Sequence, residues 1–139
     1  QHFPTLLMNR FSQERPGLPA INLSSDSGTF SAICEDSSFM DAHAKQIHAL
    51  GQPGDILLLL SPNGRSSNMV QAIQAAHERD MTVIALNGSD GGDITALLGP
   101  DEIEICVPSD DSSLVYHAQL LVLHNFCDLI DYQLFGSDQ

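Results

Sequence analysis

The segment Ser61-Pro62-Asn63-Gly64-Arg65-Ser66-Ser67 gathers three hydroxyls, a carboxamide, a guanidinium and a glycine within seven residues. It follows the aliphatic run Ile56-Leu57-Leu58-Leu59-Leu60 and precedes Met69, Val70, Ile73 and Ala76, which fall at helical spacing. A loop that joins the carboxyl end of a strand to the start of a helix presents backbone N–H groups and the positive end of the helix dipole, which favours an anion. The hydroxyls of Ser61, Ser66 and Ser67 and the flexible Gly64 suit a phosphate monoester. Composition alone favours an ordinary polar turn over a phosphate site. The loop lacks Gly-Lys-Ser/Thr and is not of the Walker type, and no Gly-x-Gly-x-x-Gly follows a strand to support a dinucleotide site.

Other chemistry-bearing residues are scattered. His43, His48, His77 and His124 have neither a carboxylate partner nor ligand spacing in sequence, and read as core or surface histidines. Cys34, Cys106 and Cys127 show no metal-ligand spacing and sit beside aliphatic residues, so they read as buried thiols of a reducing cytoplasm. Lys and Arg total 5 against 18 Asp and Glu in 139 residues, a formal net charge of −13. Binding to nucleic acid needs clustered cations to neutralise phosphates, so that class is excluded. No apolar run approaches the roughly 18 residues of a membrane span.

The elements that must position these groups alternate. Residues 2 to 11 read as a helix, then Pro16, Gly17 and Pro19 lead into an extended run at 20–23. Short helices are expected at 26–36 and 39–50, the second closed by Gly51. Ile56–Leu60 reads as a strand buried on both faces, 68–79 as a helix and Thr82–Leu86 as a second strand, a βαβ unit with parallel strands. A short helix at 94–98, a strand at 103–107 and one long helix at 112–135 complete the chain. This alternation implies a single domain with a three-layer α/β/α fold around a parallel sheet. Between Ala118 and Ile130 the final helix is apolar on nearly every side, which calls for a partner on more than one face. A second subunit is expected there, covering Leu120, Leu123 and Phe126.

Many spaced elements together resemble the sugar isomerase (SIS) domain of bacterial phosphoheptose isomerases. They are Arg10-Phe11, Glu14-Arg15-Pro16, Leu18-Pro19-Ala20-Ile21, Ala49-Leu50-Gly51-Gln52-Pro53-Gly54-Asp55, the Ser61 loop and Asp90-Gly91-Gly92. The ending Leu123-His124-Asn125-Phe126-Cys127-Asp128-Leu129-Ile130-Asp131 is similar to the group's non-catalytic branch, the DnaA initiator-associating protein. The resemblance implies a Rossmann-like parallel sheet, a homotetramer with sites between subunits, and two helices, a strand and a glycine-rich serine loop ahead of Gln1. The domain is therefore expected to be truncated at its N-terminus.

The family's functional residues transfer unevenly. Its phosphate loop, Ser-Thr-Ser-Gly-Asn-Ser, falls on Ser61, Pro62, Asn63, Gly64, Arg65 and Ser66, and its Asn-Asp pair falls on Glu35 and Asp36. The resemblance thus implies Asp36, Ser61, Asn63, Gly64, Arg65 and Ser66 as ligand-binding residues. The family's catalytic Glu and His fall on Leu6 and Gln119, and of its zinc ligands only His2 remains, since Leu6, Tyr116 and Gln119 replace the others. These departures imply a phosphosugar-binding protein that has lost isomerase catalysis, holds no zinc, and acts as an assembly or sensor partner of DnaA. The alternative is a sedoheptulose 7-phosphate isomerase, with zinc only in that case.

Overall fold

The structure, a computed structural model, describes residues 2–11 and 14–136, and the side chain of His2 lies outside that description. Three parallel strands form one sheet in the order β1 (Ile56–Leu60), β2 (Thr82–Gly88), β3 (Ile103–Val107). Ile56 stands opposite Thr82 and Leu60 opposite Leu86, while Ile84 faces Ile103 and Gly88 faces Val107. The helices are α1 (His2–Met8), α2 (Ser27–Asp36), α3 (Ala42–Leu50), α4 (Ser67–Glu78), α5 (Ile94–Leu97) and α6 (Ser112–Phe135), with a 3-10 turn at Phe39–Asp41. The expected three-layer α/β/α architecture is what forms.

Alternation along β2 divides the core. Val83 and Ala85 pack with Leu59, Ile47, Ala72, Ile73, Ala76 and Ile94 on the α4 side. Leu86 is also fully buried, and Val115 of α6 lies against Gly88, where an added Cβ would come within 2.8 Å of it. The inward stripe of α6 is Val115, Gln119, Leu123, Cys127 and Asp131, each one turn from the next.

Two expectations need correcting. Strand β1 is not buried on both faces: Ile56 is 62% exposed, and among the described residues β1 has β2 alone as a strand neighbour. Gly51 closes α3 as expected, at an ordinary φ of −70°. Close packing demands glycine there, since a Cβ would meet Met81 Sδ at 2.6 Å and Ile47 O at 2.7 Å. Leu123 is buried in the chain's own core, and the exposed apolar groups of α6 are instead Leu114, Tyr116, Leu121, Leu129, Tyr132, Leu134 and Phe135.

Capping explains where helices begin. Asp26 accepts from Thr29 N ahead of α2, and Asp111 accepts from Ser113 N and Leu114 N ahead of α6. Helix α1 is held from outside: Arg15 donates to the carbonyls of Leu6, Leu7 and Asn9 at its C-terminal end. The same guanidinium reaches Asp131 Oδ1 of α6 at 2.9 Å, with both side chains almost wholly buried. Asp131 thus anchors α1 onto α6 through one arginine, and removing either partner would leave the other charge buried and unpaired. No described helix is long and apolar enough to cross a membrane.

Candidate functional site

Two loops interlock at the carboxyl edge of the sheet. The first, 61–66, runs from β1 into α4, and the second, 89–93, from β2 into α5. Ser61 is buried, and its Oγ accepts from Gly64 N at 2.8 Å and Asn63 N at 3.4 Å, so its hydroxyl oxygen closes the loop from within. Asn63 Oδ1 accepts from Arg65 N, a local turn of the kind asparagine favours. Gly64 adopts φ +73°, and a Cβ on it would lie 1.9 Å from Gly91 O. Gly92, at φ +55°, would strike Asn63 O and Gly64 O in the same way. Gly64 O in turn accepts from the N–H groups of Asp93 and Ile94. Backbone therefore packs on backbone, and only glycine fits the contact.

The second loop is braced from below. Asn87, fully buried, donates to Gly91 O at 2.8 Å and to Glu104 Oε2 at 2.9 Å, while its own Oδ1 accepts from Gly88 N. Thr95 adds a hydroxyl to the same carboxylate oxygen at 2.7 Å. Sequence reading missed this brace, because an asparagine at a strand end carries no spacing that would mark it.

The six expected ligand residues divide by environment. Ser61, Asn63 and Gly64 shape the loop. Arg65 forms a two-oxygen pair with Asp90 at 2.8 and 2.9 Å, and that hydrogen bond holds the Asp90 carboxyl below its usual range. The guanidinium is thus committed to a carboxylate. Ser66 leads α4 in extended conformation, with no hydrogen bond from its side chain to the helix backbone. Its hydroxyl is given to Asn68 Oδ1. Asp36 ends α2, exposed, on an element that packs against α3 and the 3-10 turn, so the structure does not bring it to the loop.

An open cavity of about 730 Å³ spans the three loops of this edge, with Asn63, Arg65, Asp90, Ser109 and Asp110 among its walls. With Arg65 paired to Asp90, Asp110 tips the cavity toward negative charge, which disfavours a phosphate dianion. The donors suited to a phosphate belong to the α4 end of the loop.

The supposed acid–base positions also change meaning. Gln119 is buried, and its Nε2 donates to Ser61 O and Leu86 O at 3.0 Å each and lies 3.5 Å from Asn87 O. Position 119 therefore points under the sheet and serves the fold. Tyr116 is 56% exposed, and Leu6, half-buried, offers a carbonyl to Arg15. Leu6 has no donor atom and Gln119 is spent on carbonyls, so these positions do not fit a zinc ion.

His124 lies five residues beyond Gln119, about 140° further round α6. Its ring centroid is 5.8 Å from that of Phe11, just past the end of α1, on the seam that Arg15 and Asp131 lock. It is the imidazole of the last helix that meets the segment following the first. One turn from Asp131, Cys127 is buried, and burial pushes its thiol up to about 11, so it stays protonated and inert.

Comparison with known proteins gives a consistent result. A family model described as SIS domain matches residues 1–88. A phosphoheptose isomerase of Chromohalobacter salexigens is 55% identical over 139 residues, which is 100% of this chain and 71% of that protein. One of Alkalilimnicola ehrlichii is 51% identical over 137 residues, 99% of this chain and 70% of that protein. The solved structure of a phosphoheptose isomerase from Francisella tularensis superposes with a TM-score of 0.90 at 42% identity, over 94% of this chain and 68% of that one. These findings overturn the expected reading of a binding protein that has lost catalysis, and the DnaA-associating branch finds no support in them. The inward turn of Gln119 gives the physical reason: a residue buried beneath the sheet and committed to carbonyls is no mark of a lost catalytic acid. The chain belongs to the SIS domain family, in its phosphoheptose isomerase group.

Proposed function

We propose that this chain is a phosphoheptose isomerase, interconverting the ketose and aldose forms of a heptose phosphate such as sedoheptulose 7-phosphate. The observation that carries this reading is the 55% identity, along the whole chain, to a protein of that name. The phosphate is held at the start of α4, where Ser66, Ser67 and the backbone N–H groups of the first turn add to the helix dipole. His124 is the acid–base group. As a neutral imidazole it takes a proton from the carbon beside the carbonyl, the bonding pair forms an enediol, and the imidazolium returns the proton to the neighbouring carbon. The hydroxyl proton of the enediol exchanges through water. One base suffices for both carbon steps, which accommodates Leu6.

The same reading includes assembly as a homotetramer. Leu114, Ala118, Leu121, Asn125, Leu129 and Tyr132 lie within an arc of about 80° on α6, opposite the stripe buried in the core. Such a second apolar face suits another copy of the chain. The test of function is direct: purified protein is incubated with sedoheptulose 7-phosphate and aldose formation is followed. Turnover that falls in His124→Gln supports the proposal, and no turnover by the unmodified protein sinks it.

A further inference from the structure

A chain of polar side chains runs from the segment before α2 to Ser66, the residue just ahead of α4. Ser24 Oγ lies 3.2 Å from His43 Nε2, and His43 Nδ1 lies 3.5 Å from Asn68 Nδ2. Asn68 Oδ1 accepts the hydroxyl of Ser66. His43 is half-buried on α3, with its ring 5.6 Å from Phe30 of α2, and Asn68 is buried. An amide that donates to Nδ1 requires that nitrogen to be unprotonated, which fixes the neutral tautomer with Nε2–H directed at Ser24. In this state the Ser66 hydrogen is spent on Asn68.

Protonation reverses the order. An Nδ1–H cannot face an NH₂ group, so the Asn68 amide turns over and its oxygen accepts from the imidazolium. Its nitrogen then donates to Ser66 Oγ, and the Ser66 hydrogen is released. We propose that His43 is a positioning residue for the anion site, its protonation freeing the Ser66 hydroxyl to donate to the phosphate at the start of α4. This rests on the placement of that phosphate site above.

The groups around His43 leave its charge state to its surroundings as a whole. Asp26, ahead of α2, is turned onto Thr29, and Asp41 of the 3-10 turn takes the Ser38 hydroxyl. Glu35 and Asp36 are exposed at the other end of α2, Lys45 is exposed on α3, and His48 pairs with Glu78. The first two turns of α4, Ser67 to Ile73, carry no titratable group. Burial is what holds the His43 imidazole below its ordinary range, which makes the neutral arrangement the resting one near neutrality.

The test is the affinity of the full chain for sedoheptulose 7-phosphate by calorimetry, between about pH 5 and pH 8. Unmodified protein is compared with His43→Phe at each pH, so that the second ionisation of the phosphate itself cancels. His43→Gln, which stays neutral throughout, serves the same comparison should the phenylalanine variant fail to fold. The ratio of affinities is expected to rise about tenfold toward the acid end, the effect of one added hydrogen bond to a charged group. The rise should vanish when both proteins also carry Ser66→Ala. A flat ratio with Ser66 present overturns the proposal. So does a rise that survives Ser66→Ala, which would mark a simple charge effect of the imidazolium. Equal and pH-independent binding leaves the phosphate site standing without His43, whereas no binding by any of these proteins removes the site reading as well.

Discussion

The side-chain amide of Gln119 stands 3.0 Å from the carbonyl oxygen of Ser61, tying the last helix to the first residue of the phosphate-loop candidate. The same nitrogen serves Leu86 O at 3.0 Å, so one amide satisfies carbonyls at the ends of two neighbouring strands. Gln119→Leu keeps the volume and takes the side-chain donor from Ser61 O, while Leu86 O keeps only the Ser61 N–H. Buried groups left unsatisfied cost about 1 to 3 kcal/mol, which urea unfolding should show as a lower midpoint at unchanged slope. Gln119→His, in contrast, is expected to bring no gain in turnover, because the side chain faces carbonyls and not substrate.

His124 is placed differently. Its ring packs on Phe11 and lies outside the inward stripe of α6. Turnover of His124→Gln is expected to fall by about 10² to 10⁴. The affinity for sedoheptulose 7-phosphate should stay close to that of the parent. A variant that retains full turnover would remove His124 from the reaction.

Two glycines with positive φ separate conformational cost from collision. Gly54, at φ +89°, has open space where a Cβ would go, while Gly64 would press one against Gly91 O at 1.9 Å. Gly54→Ala should therefore cost only left-handed backbone strain, about 1 kcal/mol. Gly64→Ala must push the two loops apart, with a larger loss of stability and loss of phosphosugar binding. Similar unfolding midpoints for the two variants would contradict the interlock.

Periodicity carried the fold further than it carried the site. The long helix at 112–135 was legible because Asp111 and the apolar run mark its start and course, and the β1–α4–β2 unit because aliphatic strands flank a polar turn. The exposed Ile56 was not legible, since pattern alone cannot tell a central strand from an edge. Within the site, the Ser61 loop and its glycine stood out by composition. What failed was direction. Gln119 and His124 lie on the same helix, and only the packing of α6 against β2 and β3 shows which one faces the core. Long-range pairs such as Arg15 with Asp131, 116 residues apart, leave no local trace at all.

Acid should weaken the fold partly through Glu102. Burial opposes its ionisation, but the N–H groups of Gly99 and Val83 and the His77 ring outweigh that and hold the carboxyl below its ordinary 4.5. A carboxyl depressed in the folded state adds stability above the unfolded value, and that stability is lost as pH falls through the folded one. Urea midpoints of the parent should accordingly drop below about pH 4.5, by more than those of Glu102→Gln. Parallel curves for the two proteins would remove Glu102 from acid unfolding.

The outer stripe of α6 makes the assembly testable without touching the core. Leu121 is 67% exposed and Leu129 58%, so neither supports the fold of the single chain. An arginine at either position puts an unpaired charge into any contact between two such faces, where burying it costs several kcal/mol. Leu121→Arg should therefore convert a tetramer or dimer to smaller species by light scattering at micromolar concentration, with the far-ultraviolet dichroism of the folded chain retained. A parent protein that is already monomeric, or a variant that stays fully assembled, would show that this face is not the contact between copies.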